Sequence, residues 1–144
     1  MRTTNKFYRV VSLLLVLFCV AAATLTACGP RTTDLGATVI AEKEVGEGAK
    51  TITFTAVDGE NQATVFTVHT DAEFLRGALE PHGIIAGSES EFGMWVTTVN
   101  GIVANDGNQE WWKLYEGTTM SNYGVDTQAI VDGGEYTFAL TVGW

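Results

Sequence analysis

The stretch 110-EWWKLYEG-117 sets two tryptophans side by side just ahead of a glycine. Side chains on a strand alternate between faces, so Trp112 and Leu114 share one face while Trp111, Lys113 and Tyr115 share the other. A lysine is seldom buried without a partner, which makes the face of Lys113 the wet one and sends Trp112 into a core. Burying an aromatic ring removes about 150–250 Å² from water, worth several kcal/mol at about 25 cal/mol per Å². This short stretch therefore reads as one strand of a half-buried sheet.

Working outward, the same alternation recurs. Thr51 to Val57 reads as a strand, Asp58-Gly59 as a turn, and Thr64 to Val68 as the hairpin partner. Thr70 followed by Glu73 fits a capping box, predicting a helix of two to three turns with Phe74, Leu75, Ala78 and Leu79 on one side and Pro81 and Gly83 at its end. The acidic, glycine-containing stretch Gly87 to Glu91 reads as a solvated loop. Met94 to Val99 and Trp111 to Tyr115 read as strands, separated by the turn dipeptides Asn100-Gly101 and Asp106-Gly107. Gln128 to Val131 reads as a short strand, Asp132 to Gly134 as a turn and Tyr136 to Val142 as the closing strand. Two strands, a helix, then several strands suit an α+β fold: a β-grasp-like mixed sheet with one short helix packed across it.

The N-terminus carries a different message. Arg2, Lys6 and Arg9 precede an apolar run from Val10 to Ala23 that is shorter than a membrane-spanning helix, the pattern of an export signal. Leu25-Thr26-Ala27-Cys28 looks like a bacterial lipobox, with cleavage before Cys28 and acylation of that residue. Residues 1–27 are then a lipoprotein signal peptide, and the protein is held by lipid on the outer side of a cell membrane or at the outer membrane. Each buried methylene of the anchor contributes about 0.8 kcal/mol. Residues 28–50, small, polar and charged, read as a flexible tether, with Thr38-Val39-Ile40 as an added edge strand. Residues 51–144 form one domain with room for a single core.

Processing changes the chemistry available. Cys19 leaves with the signal and Cys28 carries lipid, so a disulfide framework or a cysteine metal site is excluded. Five basic residues then face seventeen acidic ones, taking the net charge from −9 to −12. Such a surface repels nucleic acid and anionic headgroups.

The segments 93-GMWVTTVNGIVANDGNQEWWKLYEG-117, 121-SNYGVD-126 and 131-VDGGEYTF-138 together resemble the C-terminal β domain of the transcobalamin and intrinsic-factor family, which also occurs in bacterial lipoproteins. Val99-Asn100-Gly101 matches the family's strand end and polar-Gly turn, and Trp111-Trp112 its aromatic-Trp pair. Gly124-Val125 matches the Gly-small pair of the next loop, and Asp132-Gly133 the step before the last strand. The resemblance implies a β-grasp-like fold and, by analogy with the vitamin carriers, one wall of a corrinoid site. It makes cobalamin an expected ligand rather than a resident cofactor.

On the wet face, Trp111 and Tyr115 are candidate ligand-binding residues, with Tyr123, Gly124 and Val125 arriving from the neighbouring loop. Glycine permits close backbone approach, and tyrosine offers flat apolar area with a polar tip. Neither His69 nor His82 sits at a position matched to a metal-binding role. Asn105 to Asn108 lacks the alternating acids and distal glutamate of a calcium loop, so no metal is expected. No Ser–His–Asp set, free thiol or phosphate-binding loop marks an enzyme. The expectation is a monomeric, membrane-tethered binding module delivering a small ligand to a transporter. The alternative is a surface domain for protein–protein interaction or adhesion.

Overall fold

A computed structural model describes residues 29–144. The signal expected over 1–27 and the lipidation expected at Cys28 lie outside those residues. The strands are β1 (Thr38–Gly46), β2 (Lys50–Val57), β3 (Gln62–Thr70), β4 (Ile85–Ser90), β5 (Gly93–Val99), β6 (Ile102–Val103), β7 (Glu110–Glu116), β8 (Thr119–Met120) and β9 (Glu135–Val142). One helix, α1 (Leu75–Leu79), follows β3 and runs into a 3₁₀ turn at Glu80–His82. A mixed six-stranded sheet has the order β1-β3-β2-β9-β7-β8, and a second sheet has the order β4-β5-β6. Among the described residues the architecture is mostly β with one short helix, within the α+β class.

Strand alternation divides the large sheet cleanly. Ile52, Phe54 and Ala56 of β2, Phe66 and Val68 of β3, Trp112 and Leu114 of β7, and Tyr136 and Phe138 of β9 all enter one core. Helix α1 closes that core with Leu75, Ala78 and Leu79, and the second sheet adds Ile85 and Val99. Phe54 makes an edge-on contact with Phe138 at 6.1 Å between ring centroids. Trp112 Nε1 donates to the Thr97 carbonyl at 3.2 Å, tying the two sheets together. Tyr136 is also enclosed, and its hydroxyl accepts from the Val131 N–H at 3.2 Å and donates to the Ala129 carbonyl at 3.3 Å. Burial raises its pKa.

Several expectations change here. The edge strand expected at Thr38 to Ile40 forms but extends to Gly46, running parallel to β3, so this part of the expected tether belongs to the sheet. An edge strand pairs through its backbone and tolerates charged side chains, so β1 needs little apolar content to join the sheet. The capping box does not form. Thr70 ends β3, and its hydroxyl accepts from the Ala72 N–H at 3.0 Å. Helix α1 has five residues and no side-chain cap at Phe74, because the Leu75 N–H donates to the Gln128 carbonyl and the Arg76 N–H to the Val125 carbonyl. Gln128 to Val131 contributes a single bridge, Phe74 to Ala129, rather than a strand. The acidic stretch around Glu89 is strand β4, not loop. The hairpin of β2 and β3 forms as expected, with Asp58 Oδ1 accepting from the Glu60 and Gln62 N–H groups across the turn. Among the described residues, no helix is long and apolar enough to cross a membrane.

Candidate functional site

The sheets leave an apolar cavity of about 180 Å³, bordered by β5, β7 and the loop after β8. Trp112, Leu114, Phe138 and Val125 form its buried floor. Trp95 and Tyr123, each 62% exposed, stand at its rim with Met120. Exposed aromatic rings around a largely apolar hollow offer apolar area to a ligand without having to leave a core first.

The loop that forms one wall is held from several sides. The Ser121 N–H donates to the Leu114 carbonyl at 2.9 Å, and the Ser121 hydroxyl donates to the buried Gln128 side chain at 2.6 Å. The Tyr123 N–H in turn donates to the Ser121 hydroxyl at 3.0 Å. Asp126, next to the cavity residues, accepts from the Arg76 guanidinium at 2.8 Å and from the Met94 N–H at 2.7 Å. The same guanidinium reaches Glu80 at 2.7 Å and also pairs with Glu89 of β4. One cation thus joins helix, loop and second sheet. These hydrogen bonds hold the Asp126 carboxyl below the usual carboxylate range, the Arg76 bond contributing most. They raise the Arg76 pKa further still, chiefly through Glu80. At Gly93, where φ is +99°, a Cβ would stand 2.6 Å from Asp126 Oδ2, so the approach of carboxylate to strand requires glycine.

Four of the five expected ligand residues border this cavity: Trp111, Tyr123, Gly124 and Val125. Tyr115 does not. Trp111 keeps the face expected of it: its indole donates to the Gly143 carbonyl at 2.7 Å and lies 5.8 Å from the Lys113 ammonium, so the ring lies on the Lys113 face, away from the cavity floor. The same ammonium lies 5.6 Å from the Tyr115 ring, which joins the three residues in a stripe. Val125, only 1% exposed, is a core residue that the cavity happens to reach. Gly124 has neither a positive φ nor any heavy atom within 4 Å of the position a Cβ would take. The fold itself does not require glycine there.

Sequence reasoning missed Trp95 and Met120. Trp95 alternates between Met94 and Val96 in β5, and that pattern alone marked one of the two faces as apolar without saying that the other looked onto a hollow. Both histidines lie near the start of the β2–β3 hairpin. His69 bridges Glu44 at 2.8 Å and Thr51 at 3.0 Å. Asn105 to Asn108 forms a 3₁₀ turn capped by its own asparagine, which accepts from the Gly107 N–H at 3.0 Å. Among the described residues, no group of three or more His, Cys, Asp or Glu is placed to hold a metal ion.

No family model matches the chain, and no curated protein matches it. Solved structures do. Haptocorrin, in a complex with Cbi, superposes with a TM-score of 0.57 at 14% identity, over 69% of this chain and 27% of its own, a likeness of fold. A protein from Ruminococcus gnavus ATCC 29149, provisionally described as metal-binding, superposes with a TM-score of 0.65 at 32% identity, over 67% of this chain and 100% of its own. With that identity sustained over the whole length of the relative, this chain belongs to the same family as the Ruminococcus gnavus protein.

Proposed function

We propose that this protein is a lipid-anchored, extracytoplasmic binding module whose apolar cavity takes one side of a small ligand and delivers it to a transporter. The observation that carries this reading is the conjunction of exposed Trp95, Met120 and Tyr123 around a floor of Trp112, Leu114 and Phe138. Gly124 supports it as well, since its missing side chain leaves the loop backbone open to a ligand. A corrinoid is the first ligand to test. The β-domain resemblance to the transcobalamin family favours it, as does the fold likeness to haptocorrin, and α1 lying across the large sheet fits the β-grasp arrangement. A hollow of about 180 Å³ holds an edge or a side group of such a ligand rather than the whole. That agrees with a module that supplies one wall.

The test is a titration of the purified full-length protein with cobalamin and with cobinamide, following tryptophan fluorescence. Saturable quenching that weakens in Trp95→Ala and in Gly124→Leu supports the reading. No saturable change at high micromolar concentrations of either compound overturns it. Membrane anchoring is tested separately: Cys28→Ser should move the protein from the membrane fraction to the soluble one.

A second reading, a protein–protein contact or adhesion surface, is favoured by one feature. Phe92 at the tip of the β4–β5 hairpin is almost fully exposed and lies close in sequence to Trp95. Capture of a surface protein by the wild type, lost in Phe92→Ala while the fluorescence titration stays silent, would decide for it.

A further inference from the structure

The opposite face of the large sheet carries its own cavity, also of about 180 Å³. Its base is threonine. Thr53 and Thr55 of β2 and Thr137 of β9 alternate with Phe54, Tyr136 and Phe138, so they point away from the core. Thr55 and Thr137 are direct partners across the two strands, and each is more than nine-tenths buried, at 6% and 9% exposure. Neither hydroxyl has a hydrogen-bond partner among the described residues, and neither is sealed inside the protein, since no fully enclosed side-chain polar atom lacks a partner. Two hydroxyls at the base of a hollow, open to solvent and without a partner in the protein, are free to exchange water for the hydroxyl groups of a ligand.

The remaining walls narrow the choice of occupant. Leu35, Val39 and Val65 supply apolar surface, and Arg31, Asp34 and Glu135 stand around it. Arg31 is already paired with Glu42, so the free charge at this site is acidic and disfavours an anion. A threonine hydroxyl donates one hydrogen bond and accepts two, which suits groups that do both. The volume is below the roughly 300–1,000 Å³ of sites for drug-sized molecules. Tyr115, the one expected ligand residue absent from the first cavity, pairs in register with Thr137 on this same face.

We infer that this threonine-floored cavity is a second binding site, for a neutral polyhydroxylated molecule of monosaccharide size. Threonine hydroxyls and the Glu135 carboxylate meet the sugar hydroxyls, while Leu35, Val39 and Val65 meet its C–H face. The site is independent of the aromatic-rimmed cavity, being separated from it by the sheet.

The test uses isotope-labelled full-length protein titrated with glucose, galactose and N-acetylglucosamine, with inorganic phosphate as the charged probe. At least one sugar should give saturable amide shifts at Thr55 and Thr137 with a millimolar dissociation constant. The isosteric pair Thr55→Val with Thr137→Val should weaken that binding about 10-fold or more, as loss of two hydrogen bonds would, at unchanged melting temperature. Three results overturn the inference: no saturable shift with any sugar, sugar shifts undiminished in the paired variant, or phosphate binding in place of sugar. If the paired variant fails to fold, Glu135→Gln serves instead; weaker sugar binding supports the site and unchanged binding overturns it.

Discussion

The two faces of the six-stranded sheet are built from the same strands and share almost nothing chemically. On one, Phe54, Phe66, Phe138, Tyr136 and Trp112 pack under α1 and the second sheet. On the other, Thr51, Thr53, Thr55, Thr137 and Thr141 alternate with them, accompanied by the Trp111–Lys113–Tyr115 stripe. Threonine is β-branched like valine, so it favours the extended backbone while leaving a hydroxyl free. The comparison teaches that strand propensity and burial are separate demands. The core face satisfies both; the outer face satisfies the first along its threonines and buries only a small cluster of Ala37, Val57 and Ala63. Each face also has a hollow, one aromatic, the other hydroxylated.

The sharpest way to break this contrast is at the adjacent tryptophans. Trp112→Ala should cost about 3–5 kcal/mol, because it opens a cavity in the core and deletes the bond to Thr97. Trp111→Ala should cost markedly less, its ring being half-buried on the outer face. Equal losses in denaturant unfolding would mean that the two faces are not distinct. Tyr136→Phe comes next. It leaves the Val131 N–H and the Ala129 carbonyl without their partner, and about 1–2 kcal/mol should disappear from the unfolding free energy.

A smaller effect is expected from acid. The Asp126 pKa lies below its unfolded value, so its contribution is complete above about pH 4 and is lost as the pH falls further. Melting temperature should drop over that acid range, and Asp126→Asn should flatten the drop. An unchanged profile would deny that this carboxylate braces the loop against β5. Gly124→Ala should have the least effect on stability, within about 0.5 kcal/mol, since the added methyl meets nothing. A larger loss would show that the loop backbone, and not ligand access, fixes glycine there.

Much of the core face was legible in the chain. Period-two alternation in Thr51 to Val57, Trp111 to Tyr115 and Tyr136 to Val142 named Trp112 as buried and Lys113 as wet, and both positions follow. The elements that escaped were those whose stability is not local. Only Thr38 to Ile40 of strand β1 read as edge strand and the rest as tether, because the charged stretch Glu42 to Glu44 joins the sheet through backbone pairing with β3. Helix α1 was read as capped and longer, yet its first N–H groups are met by carbonyls of the 121–128 loop, far away in sequence. Glu89 looked like solvated loop because its partner, Arg76, lies on another element.

The site divides along the same line. Tyr123, Gly124 and Val125 were expected beside the tryptophans, and they do border one hollow. Tyr115 does not, since a residue two places from Lys113 on a strand stays on the face of Lys113 and cannot turn through the sheet. Trp95 and Met120 carried no signal of their own.

The sequence by itself determined which side of each strand is apolar, because alternation and the cost of burying a lysine are properties of the local chain. Only the tertiary structure decided where the two faces leave room. A cavity is the misfit between elements brought together from distant parts of the chain, and no single stretch of residues encodes it.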